Sequence, residues 1–275
     1  MSQAPPAGVP LKVAIAGSSG RMGRMLIEAV CATPDMTLAG ALDMPSSPAV
    51  GTDPVAFLGR TSELRVTGDI AAGLAGADVL IDFTRPEATL AHLAACRSAG
   101  IRMVIGTTGL GDAERAAVRE AARDIAVVQS PNMSAGVNVA MKLVAMAARA
   151  LAADCDVEVI ESHHRDKVDA PSGTALKLGE IVAQAQGRPL AELAVFAREG
   201  HTGPRTAGSI GFATIRAADI VGEHTVLFAS AGERIEITHR STSRVNYAQG
   251  SLRAARFVAS QQRGFFDMED VLGLR

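Results

Sequence analysis

Short apolar runs alternate with helix-length segments along the first half of the chain. Leu11 to Ala16 is an apolar run of strand length, and Gly20 to Ala32 follows with apolar residues at the spacing of one helix face. The same alternation predicts strands at Thr37–Leu42, Val79–Phe83, Arg102–Ile105 and Ala126–Gln129, and helices at Glu87–Ala99 and Asp112–Arg123. This order predicts a doubly wound α/β domain with a parallel sheet.

The pattern changes after Pro131. Gly136 to Ala153 indicates one long helix, and a strand that begins at Val157 alternates apolar and polar residues. Further strands are predicted at Ala194–Arg198, Ser209–Arg216, His224–Ala229 and Arg234–His239, with helices at Ala175–Gln186 and Ala248–Gln262. So few helices favour a smaller α+β domain with a mixed or antiparallel sheet. We expect the last helix to pack on the first domain, giving domains at 1–134 with 244–275 and at 135–243.

Composition and charge are those of an ordinary folded protein. The 275 residues are 48% hydrophobic and 20% charged, with a formal net charge of −2. The charge offers no field for nucleic acid, and no apolar run reaches the length of a membrane span. Residues 1–10 lack the pattern of a signal peptide, so we expect a cytoplasmic protein. The three cysteines lie far apart, which argues against a disulfide framework.

A glycine-rich segment, Gly17 to Gly23, lies between the first strand and the first helix. Glycines at this position let the backbone approach a pyrophosphate at the helix N-terminus, as in a Rossmann-like domain. The spacing is G-x-x-G-x-x-G, so a tight turn with close helix packing is the alternative. Asp43, twenty residues after Gly23, is placed to bind ribose hydroxyls and favours NADH. Arg21 keeps NADPH possible.

Three further segments follow predicted strands at the edge of the sheet where ligands collect. They begin at Asp82, Gly106 and Ser130, and we expect the first two to line the nicotinamide half; ordinary βα turns are the alternative. The predicted cofactor-binding residues are Gly17, Ser18, Ser19, Gly20, Arg21, Met22, Asp43, Phe83, Thr84, Arg85, Gly106, Thr107, Thr108, Ser130, Pro131, Asn132 and Met133.

Acids, bases and a predicted helix start are concentrated between Glu161 and Thr174. His163 and His164 point to opposite faces of an extended chain, so one is expected at the chemistry and the other in binding or packing. Pro171 to Thr174 predicts a helix start whose N–H groups bind an anion. Metal ligation is disfavoured, because no cysteine or further ligand motif lies nearby and Lys167 is cationic. We predict a proton-moving site without a metal.

The sequence closely resembles the dihydrodipicolinate reductase family over nearly its whole length. The segments that carry the resemblance are Gly17–Arg24, Asp82–Glu87, Val104–Gly109, Gly136–Val139, His163–Thr174 and Arg198–Gly203. The resemblance implies NAD(P)H-dependent reduction of 4-hydroxy-tetrahydrodipicolinate, via dihydrodipicolinate, to tetrahydrodipicolinate in lysine and diaminopimelate biosynthesis. It implies a small cyclic dicarboxylate as the substrate and a homotetramer formed through the second sheet.

The same resemblance assigns roles to individual residues. His163 and Lys167 would be the catalytic acid/base pair, and His164, Gly173, Thr174 and Arg244 would bind substrate; a structural ion pair is the alternative for Arg244. Relatives that use NADPH well can carry arginine where this chain has Met44, which favours NADH. Asp166 replaces a histidine of some relatives, so we expect a carboxylate near Lys167.

Catalysis is expected between the two predicted domains, with closure about 130–134 and 240–247. Two other functions remain open from the sequence. An amino-acid or imino-acid dehydrogenase could use the same cofactor domain, and a nicotinamide-sensing protein would need the glycine-rich segment but not His163 or Lys167.

Overall fold

The computed structural model describes residues 8–275, and residues 1–7 of the segment tested for a signal peptide lie outside the described residues. Contacts between Cα atoms divide the chain into two compact units. The first contains the residues up to Ala135 together with Val245–Arg275, and the second contains Gly136–Arg244. Across 8–275, no helix is long and apolar enough to cross a membrane.

The first unit is built on a six-stranded sheet in which every strand pair is parallel. The strand order is β11-β5-β4-β3-β1-β2. The strands are β1 (Leu11–Ala16), β2 (Met36–Leu42), β3 (Val79–Asp82), β4 (Arg102–Ile105), β5 (Ala126–Gln129) and β11 (Gly264–Phe266). The central strands are covered on both faces, which is why their sequences are continuous apolar runs.

Helices cover this sheet, as the alternating pattern predicts. They are α1 (Arg21–Cys31), α2 (Ile70–Leu74), α3 (Pro86–Ala99), α4 (Asp112–Ala121), α8 (Val245–Ala259) and α9 (Met268–Leu272). Leu252 and Val258 of α8 are fully buried in one core with Val13 and Ile15 of β1. The prediction that the late helix packs on the first sheet is therefore confirmed.

The second unit has a mixed sheet of five strands in the order β10-β9-β6-β8-β7. Its strands are β6 (Asp156–His163), β7 (Ala194–Val195), β8 (Ile210–Arg216), β9 (Gly222–Ser230) and β10 (Glu233–Ser241). Its helices are α5 (Ala135–Leu151), α6 (Gly173–Ala185) and α7 (Leu190–Leu193). Strand β6 pairs antiparallel with β9 and parallel with β8, so the mixed sheet predicted from the sequence is confirmed.

One face of this sheet packs against α5 and α6. Val157 and Val159 of β6 are fully buried there with Val144 of α5 and Val182 of α6. Residues two apart on a strand share a face, so the same register directs Glu161 and His163 inward. The fold thereby places an acid and a base at the end of a buried row.

The predicted strand Ala194–Arg198 is wrong in extent. Only Ala194–Val195 is a strand, and helix α7 precedes it directly. Gly200 and Gly203 beyond it have φ values of +67° and +71°, a left-handed conformation that a strand does not allow. The apolar pattern of this segment was too short to reveal the break.

Candidate active site

The segment between β1 and α1 forms the tight glycine-rich turn that the sequence indicates. Gly17 has φ +71°, and a Cβ at Gly23 would overlap the carbonyl oxygen of Gly17. Gly20 caps α1 without a side-chain hydrogen bond, and the first turn of the helix has no acidic residue. The hydroxyl of Ser18 is buried without a hydrogen-bond partner in the described chain. Free donors and a close backbone approach fit a dinucleotide pyrophosphate.

Asp43 follows β2 and lies against this turn. Its carboxylate accepts the backbone N–H of Ser19 at 2.9 Å and that of Met44 at 2.8 Å. The side chain of Arg21 is exposed at the start of α1. The fold therefore places the acid on which the cofactor prediction depends against the turn that precedes Arg21.

The loops after β3 and β4 are joined by a buried carboxylate. Asp82 is fully buried, and its Oδ1 accepts from the Thr84 hydroxyl at 2.6 Å and from the Thr107 hydroxyl at 3.2 Å. Its Oδ2 lies 2.8 Å from Nδ1 of His92 on α3. The sequence analysis included Asp82 in the segment expected to line the nicotinamide half, but it did not predict this buried role or the contact with His92. Asp82 and His92 fix the two loops on which Thr84 and Thr107 are presented.

Other predicted cofactor residues of these loops have distinct environments. The ring of Phe83 lies against Gly106, where a Cβ would overlap it. Arg85 caps α3 with an exposed side chain, and Thr108 is exposed. These residues stand at the carboxyl edge of the parallel sheet, the edge where such folds bind ligands.

The segment after β5 is held by its own backbone and by α8. The hydroxyl of Ser130 donates to the carbonyl of Asn132, and the side chain of Asn132 accepts from the N–H of Ser134. Met133 is buried, and a Cβ at Gly250 of α8 would overlap its carbonyl oxygen. Pro131 is exposed. The segment is thus a fixed wall at the same sheet edge.

In the second unit, His163 ends β6 in a buried hydrogen-bonded pair. Its Nδ1 lies 2.5 Å from Oε2 of Glu161, whose side chain is fully buried. The Arg216 guanidinium binds both oxygens of Glu161, at 2.9 and 2.7 Å. Burial would raise the pKa of Glu161, but the hydrogen bonds from Arg216 and His163 outweigh it and hold that pKa below its usual value. Glu161 is therefore a buried carboxylate that stays charged.

Burial lowers the pKa of His163, and the opposing effect of Glu161 does not fully offset it. The imidazole rings of His163 and His224 pack edge to face, with 5.1 Å between their centroids. Burial also lowers the pKa of His224, to about 4, so this second ring is neutral. A neutral neighbour leaves His163 as the titrating imidazole of the pair.

The start of α6 lies beside these rings. Ser172 caps the helix by accepting from the N–H of Ala175 at 3.2 Å, and its hydroxyl lies 3.1 Å from Nε2 of His224. The N–H groups of Gly173 and Thr174 precede the first helical hydrogen bond and point out of the helix end. Two free donors at a helix N-terminus are suited to a carboxylate.

Lys167 lies on the turn after β6. Its amine contacts Oδ1 of Asp169 at 2.7 Å, and its backbone N–H donates to the carbonyl of His164. The carboxylate that pairs with Lys167 is therefore that of Asp169. The side chain of His164 is half-buried. The ion pairs of residues 8–275 do not include Arg244, and its role stays a prediction.

The Glu161, His163 and His224 side chains are close enough to hold a metal ion. Arg216, however, binds both Glu161 oxygens, and the N–H of Ser172 and His163 fill the remaining acceptor positions. A cation would have to displace a guanidinium from a saturated carboxylate. The geometry therefore favours proton chemistry over metal binding.

Comparison with known proteins identifies the relatives of this chain. Residues 11–133 match the family model for the N-terminus of dihydrodipicolinate reductase, and residues 136–272 match the model for its C-terminus. The chain belongs to the dihydrodipicolinate reductase family. The family membership predicted from the sequence is thereby confirmed.

Curated members of the dihydrodipicolinate reductase family resemble the chain from end to end. The 4-hydroxy-tetrahydrodipicolinate reductase of Cupriavidus pinatubonensis is 61% identical over 96% of this chain and 100% of its own length. The protein of the same name from Herminiimonas arsenicoxydans is 60% identical over 96% of this chain and 99% of its own.

Solved structures support the fold. A dipicolinate-bound dihydrodipicolinate reductase from Paenisporosarcina sp. TG-14 has a TM-score of 0.75 and 24% identity, over 95% of this chain and 99% of that one. An amine dehydrogenase from Mycobacterium smegmatis has a TM-score of 0.58 and 11% identity, over 96% of both chains. The Rossmann-like α/β prediction is confirmed.

Glu161, Arg216 and His224 belong to this site, but the sequence analysis assigned no role to any of them. Glu161 continues the row of Val157 and Val159, so a charge at an inward position was the available signal. Arg216 carried no such signal, because its contact depends on the pairing of β6 with β8.

Proposed function

We propose that the protein is an NAD(P)H-dependent oxidoreductase that reduces 4-hydroxy-tetrahydrodipicolinate, by way of dihydrodipicolinate, to tetrahydrodipicolinate in lysine and diaminopimelate biosynthesis. The observation that carries the proposal is the buried Glu161–His163 pair beside the free N–H groups of α6. It provides a proton donor and an anion site within one unit. Family membership and the names of relatives at 60–61% identity support the same reaction.

A reduced pyridine nucleotide supplies the hydride of the reaction. The proposed binding residues are those of the glycine-rich turn, of the loops after β3 and β4, and of the segment that begins at Ser130. The glycine-rich turn at Gly17 and the unpartnered hydroxyl of Ser18 fit such a cofactor. NADH is the proposed preference, because Asp43 lies at the turn and Met44 offers no cation for an additional phosphate. Arg21 keeps NADPH as a possible second cofactor.

Substrate binding is assigned to groups that suit two carboxylates. We assign the N–H groups of Gly173 and Thr174 to one carboxylate, and the cationic or donor side chains of His164 and Arg244 to the substrate as well. Hydride addition to a conjugated imine leaves electron density on nitrogen and the adjacent carbon. His163, with Lys167, delivers the balancing proton, since a hydride and a proton together complete the reduction.

We assign cofactor binding and substrate binding to different domains. Residues 1–134 with 244–275 would bind the dinucleotide, and residues 135–243 would bind substrate and mediate assembly.

A homotetramer in the cytoplasm is proposed for the intact protein. The sheet face opposite α5 and α6 carries Ile160, Ile215 and Leu227, none of them buried, which supports assembly through that face. Sedimentation equilibrium tests it: four times the chain mass is expected, and a monomer would contradict it.

The function is tested by following nicotinamide absorbance with the purified protein and freshly generated 4-hydroxy-tetrahydrodipicolinate. Substrate-dependent oxidation of NADH or NADPH is expected. His163→Gln and Lys167→Met should each lower kcat by about 100-fold or more, the usual range for general acid catalysis, while cofactor binding persists. No oxidation by folded protein would contradict the proposal. Activity on a linear imino acid alone would favour a related dehydrogenase.

A further inference from the structure

Every acceptor position of the Glu161 carboxylate is filled. Oε1 accepts the N–H of Ser172 at 3.1 Å and Nη2 of Arg216 at 2.7 Å. Oε2 accepts Nη1 of Arg216 at 2.9 Å and lies 2.5 Å from Nδ1 of His163. A carboxylate with two oxygens offers about four such positions, so the group has no free lone pair. Its side chain is 0% exposed, and water does not compete for it.

This saturation fixes the protonation pattern of His163. An ionised carboxylate only accepts hydrogen bonds, so Nδ1 must carry a hydrogen. The opposite nitrogen, Nε2, is then the atom that gains and loses the exchangeable proton. A Cβ at Gly222 would lie 3.1 Å from Nε2, so glycine at this position leaves that nitrogen uncovered. Glu161 therefore orients His163 through Nδ1 and leaves Nε2 uncovered.

Arg216 connects this arrangement to the second proposed proton donor. Besides binding Glu161, its Nη2 donates to the backbone carbonyl of Asp169 at 2.5 Å. The carboxylate of the same Asp169 contacts the amine of Lys167 at 2.7 Å. The half-buried guanidinium of Arg216 thus contacts the residue that orients His163 and the residue that holds Lys167.

We propose that Glu161 and Arg216 are positioning residues of the reductase: Glu161 holds His163 as the Nδ1–H tautomer with Nε2 available for proton exchange, and Arg216 keeps Glu161 in place. The inference rests on the proposed function for its kinetic consequence, but the tautomer itself is a property of the ligand-free chain.

The charges around His163 determine the sign of the expected pH effect. Glu161 on its own strand favours the imidazolium, whereas Lys167 on the following turn and Arg216 on β8 oppose it; His224 on β9 is neutral. Burial lowers the pKa of His163, and Glu161 partly restores it. Removing the Glu161 charge must therefore lower this pKa further, because an adjacent opposite charge is lost.

The test uses the full chain without ligand. Imidazole 15N–1H correlation spectra of the wild type should show Nδ1–H for His163 in its neutral form. In Glu161→Gln the pKa of His163 should fall and the tautomer should become mixed. Glu158→Gln is the matched control, since it removes a glutamate of the same strand that binds Arg198 at 2.9 Å. Unchanged His163 signals in Glu161→Gln would overturn the proposal.

Kinetics give the second measurement. Glu161→Gln should lower kcat by about 100-fold with little change in the KM for substrate or the Kd for NADH. The limb of the pH profile on which activity falls as His163 deprotonates should move to lower pH. Arg216→Lys keeps the charge but not the bidentate geometry, so we expect a smaller loss of kcat than in Glu161→Gln. This variant replaces Glu161→Gln in the test if Glu161→Gln does not fold.

The outcomes separate this inference from the proposed function. A wild type without turnover would defeat the proposed function and leave the tautomer measurement intact. An active wild type whose Glu161→Gln and Arg216→Lys variants keep wild-type kcat and pH profile would overturn the positioning role alone.

Discussion

Arg216 lies directly across from His163 in the parallel pairing of β8 with β6, yet its guanidinium binds Glu161, two residues earlier on β6. The imidazole therefore meets the cation only through a shared carboxylate. Glu161 thus lies between the guanidinium of Arg216, which stabilises its charge, and the imidazole of His163, which is proposed to transfer the proton. Arg216 already lowers the pKa of His163 from this position, and a direct contact between the two would disfavour the imidazolium more strongly.

Ser172 joins the anion-binding helix end to the neutral His224. Ser172→Ala removes the cap of α6 and leaves Nε2 of His224 without its partner, at a cost of about 2 kcal/mol in unfolding free energy. In Ser172→Ala the KM for substrate should rise several-fold, and kcat should fall by a smaller factor. Urea denaturation and steady-state kinetics measure both effects.

The control for that prediction is Asp267→Ala. It removes the cap of α9 in the first unit, with a similar expected loss of stability. Its KM for substrate should remain that of the wild type. Equal KM changes in the two variants would contradict a specific role for Ser172.

Asp82 should be required for cofactor binding without touching the cofactor. Asp82→Asn weakens its bonds to Thr84, Thr107 and His92, so the loops after β3 and β4 lose their fixed arrangement. We expect a loss of about 2 kcal/mol in stability and at least tenfold weaker NADH binding, measured by nicotinamide fluorescence. Asp78→Asn, at a half-buried carboxylate before β3 that accepts the N–H of Lys12, should leave binding unchanged. Wild-type affinity in Asp82→Asn would contradict the prediction.

His224 should make the protein less stable in acid. Its pKa is about 4 in the folded chain against 6.5 for the free group, so the unfolded chain binds more protons between these values. Stability is therefore lost as pH falls from about 6.5 to about 4, by up to about 3 kcal/mol from this group.

His224→Gln should reduce that dependence, and His201→Gln, at an exposed histidine of the same unit, should not. Thermal unfolding across this pH range checks both variants. An unchanged acid slope in His224→Gln would mean that this imidazole is not buried in its neutral form.

Asp43 should select between the two pyridine nucleotides. In Asp43→Ser the ribose acceptor is lost, so NADH binding should weaken by about tenfold while NADPH binding changes less. Asp69→Ser is a matched control, since serine can still cap α2. Affinities from nicotinamide fluorescence decide the point. Equal losses for both nucleotides would show that Asp43 only orders the turn at Ser19.

Much of the first unit could be predicted because buried parallel strands are continuous apolar runs: Leu11–Ala16, Arg102–Ile105 and Ala126–Gln129 have the predicted bounds. Strand β11 was not predicted, since three residues that include Gly264 at φ +136° carry no periodicity. The local signals for α9 were the capping box at Asp267 and the glycine at 273, too little to predict a helix of five residues.

The site was less predictable than the fold. His163 and Lys167 stood out as a dense cluster of ionisable residues, and the resemblance assigned their roles. The turn after β6 directs Asp169 toward the amine of Lys167, a contact that sequence proximity does not reveal. Arg216 is 53 residues from His163 and becomes its neighbour only through sheet pairing. Long-range pairing is the information that a single sequence lacks.

The central claim is that this chain transfers a hydride from a reduced nicotinamide to a cyclic dicarboxylate. The most direct measurement uses NADH with deuterium at the transferred position of the nicotinamide and mass spectrometry of the product. The account predicts tetrahydrodipicolinate one mass unit heavier than the product formed with unlabelled NADH, and no such product with His163→Gln on the same timescale. Product without deuterium, or no product from folded wild-type protein, would contradict it.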